Sequence, residues 1–249
     1  MSPTVQEILD YLGIDPPSEV SRRRFLELFG GGIVIAVTAC DIGAQETTAP
    51  RRFGRQLPDD FNAFLRIGED GRVTCFTGKI EMGQGINTSL AQMLADELTV
   101  QLAAVDMVMG DTDLCPWDMG TFGSMTTRFF GPPLRAAAAE AREVLLELAA
   151  EKLGAPREKL TVANGVVSVA GQPGRSVTYA ELARGQRIAR RLDGEAALEA
   201  VKEFTIVGHS ENRRDAVAKV TGRALYAGDI RREGMVSACL LRPPAHGAK

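Results

Sequence analysis

Between residues 61 and 109 the spacing of apolar residues changes period twice, and this change most limits the folds open to the chain. Residues 61–67 and 72–77 alternate around Gly68-Glu69-Asp70-Gly71, which predicts a β-hairpin. Ile86, Leu90, Met93, Leu94 and Leu98 then recur at helical spacing over residues 86–99. A short strand follows at residues 105–109. Strand, strand, helix, strand within fifty residues, in a glycine-rich and aromatic-poor chain, predicts a mixed α/β (α+β) fold. Further on, Pro132-Pro133 opens a helix that runs to about Leu153, where Gly154 and Pro156 stop it. Asn164-Gly165 sets a second hairpin between residues 160–162 and 166–169. Residues 176–193 read as a strand leading into a basic helix. The pattern weakens around 202–215, so a boundary is placed between residues 205 and 206. A last strand is predicted over residues 235–241.

Two glycine-rich stretches interrupt these elements where a site would sit. The first, Thr77-Gly-Lys-Ile-Glu-Met-Gly-Gln-Gly85, joins a strand to a helix. Gly83 and Gly85 let backbone approach a ligand closely, and Gln84 between them offers donors and an acceptor. Thr88 and Ser89 add hydroxyls at the helix start, whose N–H groups and dipole favour an anion or an electron-rich edge. The stretch is neither a phosphate-binding P-loop nor a dinucleotide fingerprint. The second lies in the long loop of residues 110–131 and contains Gly110-Asp-Thr-Asp113 and Gly120-Thr-Phe-Gly-Ser-Met-Thr-Thr127. Small hydroxyl residues among glycines form anion-binding nests. Asp111 and Asp113 read either as a cation or base pair or as a solvated turn capped by its own carboxylates. Trp117 and Phe122 read as lining or as packing, and Cys115 as a small buried apolar residue.

The N-terminus has its own pattern. Ser21-Arg22-Arg23-Arg24-Phe25-Leu26 fits the twin-arginine export signal, and an uncharged run over residues 28–39 follows it after Glu27. That run is shorter than the roughly 20 residues that span a bilayer, and has the size of a signal h-region. Val37-Thr38-Ala39-Cys40 resembles a lipobox, whose cysteine would carry acyl chains and anchor the protein to a membrane. Residues 1–40 are thus expected to be a signal peptide, with a short helix over residues 4–12, and residues 41–60 a linker. Twin-arginine export carries folded proteins, so a cofactor inserted beforehand is expected, and the location is periplasmic.

Composition narrows the partners. Lys+Arg number 29 against 32 Asp+Glu, a net charge of −3, which argues against a nucleic-acid surface. The cysteines are Cys40, Cys75, Cys115 and Cys239, with no C-x-x-C pair, and the histidines only His209 and His246. No zinc finger or iron–sulfur cluster can be built from such a set. Any redox group must be held by other means.

Taken together, Gly-Lys-Ile-Glu-Met-Gly-Gln-Gly, the helix with Gln92, Gly110-Asp-Thr-Asp, Pro116 and Gly120-Thr-Phe-Gly-Ser-Met-Thr-Thr resemble the molybdopterin-binding domain of the xanthine dehydrogenase/aldehyde oxidase family. Asp215-Ala-Val-Ala-Lys-Val-Thr-Gly-Arg-Ala-Leu-Tyr-Ala-Gly-Asp229 is similar to the start of that family's α/β hammerhead domain. Cofactor segment first and hammerhead second, behind a twin-arginine signal, resembles the isoquinoline 1-oxidoreductase large subunit and related periplasmic aldehyde dehydrogenases. The domains implied are 61–205 for the molybdopterin-binding segment and 206–249 for the start of the hammerhead. The resemblance implies hydroxylation of aldehydes or N-heterocycles with oxygen from water, on molybdenum held by a pterin dithiolene, usually the cytosine dinucleotide form in bacteria. Gly83, Gln84 and Gly85 match the loop beside the molybdenum centre, with Gln84 hydrogen-bonding an oxygen of it. Gly123, Ser124 and Thr126 line the cofactor region. Electrons would pass to a small subunit with two 2Fe-2S clusters and then to a cytochrome c.

Family large subunits are much longer, and their catalytic glutamate lies near the far C-terminus. No segment here corresponds to it, so no catalytic residue is assigned, and turnover by this chain alone is not expected. A fragment, one piece of a split subunit completed by the remaining part, and a broken gene product are all consistent with this. A non-catalytic exported lipoprotein that keeps the fold as a binding or assembly module is the alternative.

Overall fold

A computed structural model describes residues 32–37, 63–118, 120–191 and 196–247. The chain divides into two compact units, the first through Glu211 and the second from Asn212.

In the first unit β1 (Gly32–Val37), β2 (Ala63–Ile67) and β3 (Val73–Thr77) are followed by α1 (Ile86–Glu97), β4 (Val105–Met109) and the long α2 (Gly131–Leu153). Next come β5 (Leu160–Ala163), β6 (Val166–Val169), β7 (Gln172–Thr178), the short α3 (Tyr179–Ala183) and β8 (Arg187–Arg191). One sheet has the order β4-β3-β2-β1-β8, and a second, β5-β6-β7, is an antiparallel meander. The predicted hairpin is β2–β3, antiparallel with Leu65 opposite Cys75. Chain crossover through α1 lays β4 parallel to β3, as such a connection requires. The fold is therefore mixed α/β.

Helices α1 and α2 cover one face of the five-stranded sheet. Ile33, Ile35, Leu65, Ile67 and Cys75 meet Leu90 and Leu94 of α1 and Leu134, Ala138 and Leu145 of α2 in one core. Alternation along β2 explains the choice of face: Ala63, Leu65 and Ile67 are buried, while Phe64 and Arg66 are half-buried. Burial pushes the Cys75 thiol far above its usual range, so this cysteine is a packing residue. Small Ala137, Ala138 and Ala141 let α2 approach the sheet closely.

The sequence reading and the fold differ at four places. Residues 32–37, expected inside a signal h-region, form β1, antiparallel to β2 and parallel to β8. An uninterrupted Ile-Val-Ile-Ala-Val run suits a strand buried on both faces as well as an h-region. Gly32, at φ 129°, lies so close to Ile67 that a Cβ would sit 2.4 Å from that carbonyl oxygen. The rest of the expected signal, the helix over residues 4–12, Cys40 and the whole of the linker lie outside the described residues. In the 176–193 stretch, β7 ends in a capping box, Thr178 accepting from Glu181 N–H and Glu181 from Thr178 N–H. The helix is then only five residues long, and β8 replaces the expected basic helix because β1 offers it a parallel partner. The division between units falls after Glu211 because α1 ties down the preceding segment. Asp96 accepts from the N–H groups of Thr205, Ile206 and Val207, and Gln92 donates to the carbonyls of Ile206 and His209.

The second unit contains α4 (Ala216–Val220) and a 3-10 turn at Ala227–Asp229. Arg213 and Lys219 flank Asp215 and hold its carboxyl well below the usual range. The strand expected over residues 235–241 does not form, and Val236, Leu240 and Leu241 are exposed. No strand among the described residues of this unit offers it a ladder, and a lone strand has no means of satisfying its backbone.

Candidate functional site

The site forms where the C-terminal ends of β3 and β4 release the two glycine-rich loops. After Thr77 the chain turns through residues 78–85 into α1. Glu81 organises this turn: its Oε1 accepts from Gly83 N–H at 2.7 Å and Gly85 N–H at 2.9 Å, and its Oε2 from Asn87 N–H at 3.1 Å. Gly83 and Gly85 have φ of 106° and 86°, which favours glycine at both. The N–H groups of Thr88 and Ser89 both go to the Gly85 carbonyl. The start of α1, expected to attract an external anion, therefore does not wait for one. The chain supplies its own carboxylate there.

Gln84 is exposed, and its amide is folded against its own loop. Met82 N–H donates to Oε1 at 2.5 Å, and Nε2 donates to the Ile80 carbonyl at 3.0 Å. These two bonds fix which end of the amide is oxygen. They leave the second Nε2 proton and a lone pair of Oε1 for a ligand.

In the second loop Asp111 Oδ1 accepts from the N–H groups of Asp113 and Leu114 at 2.9 and 3.1 Å. Of its two sequence readings, the self-capped turn is the one the fold adopts. Cys115 is half-buried and donates to the Val108 carbonyl, with its thiol pushed up by burial. Gly120, Gly123 and Ser124 all have positive φ, of 120°, 62° and 55°. Ser124 is the notable one, since side-chain-bearing residues seldom adopt that region. A single π-helical turn at Thr126–Phe130 then leads into α2. The helix predicted from Pro132 thus has an irregular turn in front of it, of the kind often found at functional sites.

The two loops are stitched together. Lys79 Nζ donates to Asp118 Oδ1 at 2.7 Å and to the Gly120 carbonyl at 2.6 Å, with the Lys79 and Asp118 side chains 1% and 0% exposed. Ile80 N–H donates to Thr121 Oγ1 at 2.9 Å. Gly78 has no room for a side chain, since a Cβ would lie 2.4 Å from that of Asp118. Between the loops lies a cleft of about 510 Å³ lined by Met82, Gln84, Ser89, Phe122, Ser124 and Thr127, among others. Gln84, Gly123, Ser124 and Thr126 come together around it. Gly83 and Gly85 shape the turn that presents Gln84 but do not line the cleft. Among the described residues, no charged residue lines it. A second hollow of about 290 Å³, over Arg66, Glu69, Asp70, Arg72 and Asp106, touches neither glycine loop.

Residues 7–225 match the sequence profile of the molybdopterin cofactor-binding domain. The chain belongs to that family. It is 38% identical over 184 residues to a nicotinate dehydrogenase component of Pseudomonas putida, covering 74% of this chain and 15% of that protein. It is 31% identical over 246 residues to a membrane-bound aldehyde dehydrogenase of Gluconacetobacter polyoxogenes named for pyrroloquinoline quinone, covering 93% and 30%. It is 28% identical over 226 residues to the beta chain of isoquinoline 1-oxidoreductase of Brevundimonas diminuta, covering 75% and 29%. The chain thus spans less than a third of the length of these relatives.

The cleft suits a molybdopterin. A metal carried on its own organic ligand needs hydrogen-bonding walls from the protein instead of metal ligands. Among the described residues no group of three or more His, Cys, Asp or Glu side chains could hold a metal ion. The walls set the Gln84 amide and the hydroxyls of Ser89, Thr121, Ser124 and Thr127 beside apolar Met82, Ile86, Phe122 and Met125, and the Cβ direction of Gly83 is open space. Sequence reasoning missed Lys79, Glu81 and Asp118. The only sign of Glu81's role is its spacing, two and four residues before the two glycines.

Proposed function

We propose that this chain forms one wall of the cofactor pocket in the large subunit of a molybdenum hydroxylase that oxidises aldehydes or N-heterocycles. The observation that carries the reading is the cleft between the Gln84 turn and the Ser124 turn, in a chain of the molybdopterin-binding family. The family's cofactor, in its cytosine dinucleotide form, supplies the redox chemistry, adding oxygen from water to carbon and accepting the electrons. The chain's own residues bind and orient it. Gln84 donates its remaining N–H to an oxygen of the cofactor, with the amide held in place by Met82 and Ile80. Gly123 and Ser124 bring backbone N–H groups to the opposite wall, and Thr126 fixes the base of that wall from its buried position. Met82 and Phe122, both exposed at the rim, shield the cleft from water when the rest of the pocket closes over it. No residue here is assigned the catalytic proton transfer, and the chain by itself has no turnover. Electrons leave through a separate 2Fe-2S subunit to a cytochrome c.

Metal and pterin analysis of the protein purified with its partner subunits tests this. Molybdenum and a pterin are expected, and Gln84→Ala is expected to reduce cofactor content or turnover about tenfold, the loss of one hydrogen bond of roughly 1.4 kcal/mol. An active complex holding pyrroloquinoline quinone and no molybdenum would overturn the reading.

We further infer export by the twin-arginine route, on the Ser21–Leu26 pattern. Cleavage before Cys40 would take β1 out of the sheet, so export with cleavage demands another strand beside β2. Mass spectrometry of the mature N-terminus checks both at once. A periplasmic protein beginning at Cys40 with acyl chains is expected, and a cytoplasmic protein that retains Met1 would reject export.

A further inference from the structure

We propose that Lys79 and Asp118 form a positioning latch that sets the distance between the two walls of the cleft, and that the latch governs cofactor retention more than it governs stability. The inference rests on the molybdopterin reading and concerns two residues that do not line the cleft. Their burial is the starting point. An ammonium and a carboxylate removed from water lose several kcal/mol of hydration each, and a well-packed neutral pair in the same place is commonly as stable. Asp118 is also poorly provided for as an ion-pair partner. Oδ1 takes both Lys79 Nζ and Gly120 N–H, while Oδ2 is buried without a hydrogen-bond partner among the described residues. A pair arranged for stability would satisfy both oxygens.

What the pair does achieve is register. Lys79 follows Gly78 and precedes the Glu81–Gly85 turn. Asp118 and Gly120 precede the Gly123–Ser124 turn. The two Nζ bonds, at 2.7 and 2.6 Å, join the stem of one wall to the stem of the other. The bond from Gly120 N–H to Asp118 Oδ1 lies within the second loop and shapes it. The Ile80–Thr121 bond continues the same seam one residue nearer the cleft. Gly78 permits the contact by lacking a side chain, and a Cβ on Gly110 would lie 2.5 Å from Ile80 Cγ2. Each wall is therefore held to the other at its root, while its tip, Gln84 on one side and Ser124 on the other, stays exposed. A ligand bridging both tips reads any change of spacing at the roots, because hydrogen bonds weaken within a few tenths of an ångström. Buried polar pairs that specify geometry at no gain in stability have this character.

The test is the double variant Lys79→Met, Asp118→Asn in the full complex. Met fills the space of the lysine stem, and Asn keeps the bond to Gly120 N–H, so the two Nζ bonds between the loops are lost while the Ile80–Thr121 bond remains. The expected result is a folded protein with a thermal midpoint within about 5 °C of the parent and molybdenum and pterin content about tenfold lower or less. Amide hydrogen exchange of residues 78–85 and 120–124 quickens, while β3 and α1 keep their protection. A folded double variant with full cofactor content would overturn the proposal. Failure of the double variant to fold would overturn it too, since the pair would then be needed for the fold itself. A parent complex without molybdenum and pterin would instead remove the cofactor reading, and the exchange measurement would still decide whether the loops are latched.

Discussion

Replacing Glu97 with alanine is expected to destabilise the chain by about 3–5 kcal/mol, the cost of breaking a buried ion pair from one side. Glu97 closes α1 with its side chain fully buried. Its Oε1 accepts from Arg135 Nε at 2.7 Å, and its Oε2 from Glu199 N–H at 3.0 Å. Arg142 donates to the Glu97 carbonyl at 2.7 Å and pairs with the Glu199 carboxylate at 3.0 Å. The carboxylate thus joins α1, α2 and the segment after β8. Alanine leaves two guanidinium groups facing a cavity. Arg135 retains the Phe204 ring, 4.8 Å from its guanidinium carbon, and the Glu199 carbonyl, so the loss should fall at the lower end of the range. Glu97→Gln keeps the shape and an acceptor for Glu199 N–H, and should cost about half as much. Urea unfolding followed by circular dichroism measures both. With a slope of about 2 kcal/mol per molar, the alanine variant should lower the midpoint by more than 1 M. A change below 1 kcal/mol would mean that the segment of residues 196–209 is held by other contacts.

The parts of the fold legible in the sequence are those whose stabilisation is local. The β2–β3 hairpin announces itself through alternation around Gly68 and Gly71, α1 through the spacing of Leu90, Leu94 and Leu98, and β5–β6 through Asn164-Gly165. Each pattern reports the face that the element buries, and that face is set by nearest neighbours. The failures are elements whose state depends on a distant partner. Residues 32–37 become a strand by pairing with β2 and with residues 187–191, and residues 187–191 by pairing with β1, all far apart in sequence. Residues 235–241 have the composition of a strand and no partner among the described residues of the second unit. The capping box at Thr178 was legible in principle, since Thr-x-x-Glu carries its own signature.

At the site the same division holds. Gly83, Gly85, Gly123 and Gln84 stand out because glycine and amide residues in a turn suggest close approach to a ligand. Of the two readings of Asp111, the self-capped turn needed only the two following N–H groups, and it formed. Lys79 could not be read, because a lysine in a sequence looks solvated until the partner that buries it is known. Asp118 lies thirty-nine residues away. At the start of α1 the chain supplies its own carboxylate for a physical reason. A helix N-terminus attracts an anion, and the nearest anion was already in the chain.

That last point yields a prediction at the site itself, through Glu81→Gln. Both carboxylate oxygens of Glu81 accept from backbone N–H groups: Gly83 and Gly85 on one, Asn87 on the other. Glutamine can satisfy one side only. With its carbonyl on Gly83 and Gly85, its NH2 group faces the Asn87 N–H, donor against donor. With the amide reversed, the two glycine N–H groups lose their acceptor. Either way the favourable charge at the start of α1 is gone. The turn is partly exposed and water replaces some of what is lost, so the stability cost should be about 1 kcal/mol, as for removal of a helix cap. The cost to the site should be larger. Gly83 and Gly85, at their positive φ values, are the residues that carry Gln84, whose amide is fixed through Met82 and Ile80 in the same turn. Once the turn samples other conformations, the Gln84 amide is in place for only a fraction of the time, and apparent affinity falls by that fraction. Cofactor content is expected to drop about tenfold, matching Gln84→Ala, while the thermal midpoint moves by only a few degrees. Glu81→Asp should lie between the parent and Glu81→Gln, since its shorter side chain keeps the charge but not both sets of contacts. Full cofactor content in Glu81→Gln would show that the turn holds its shape through its glycines alone, and the carboxylate would then be no more than a cap on α1.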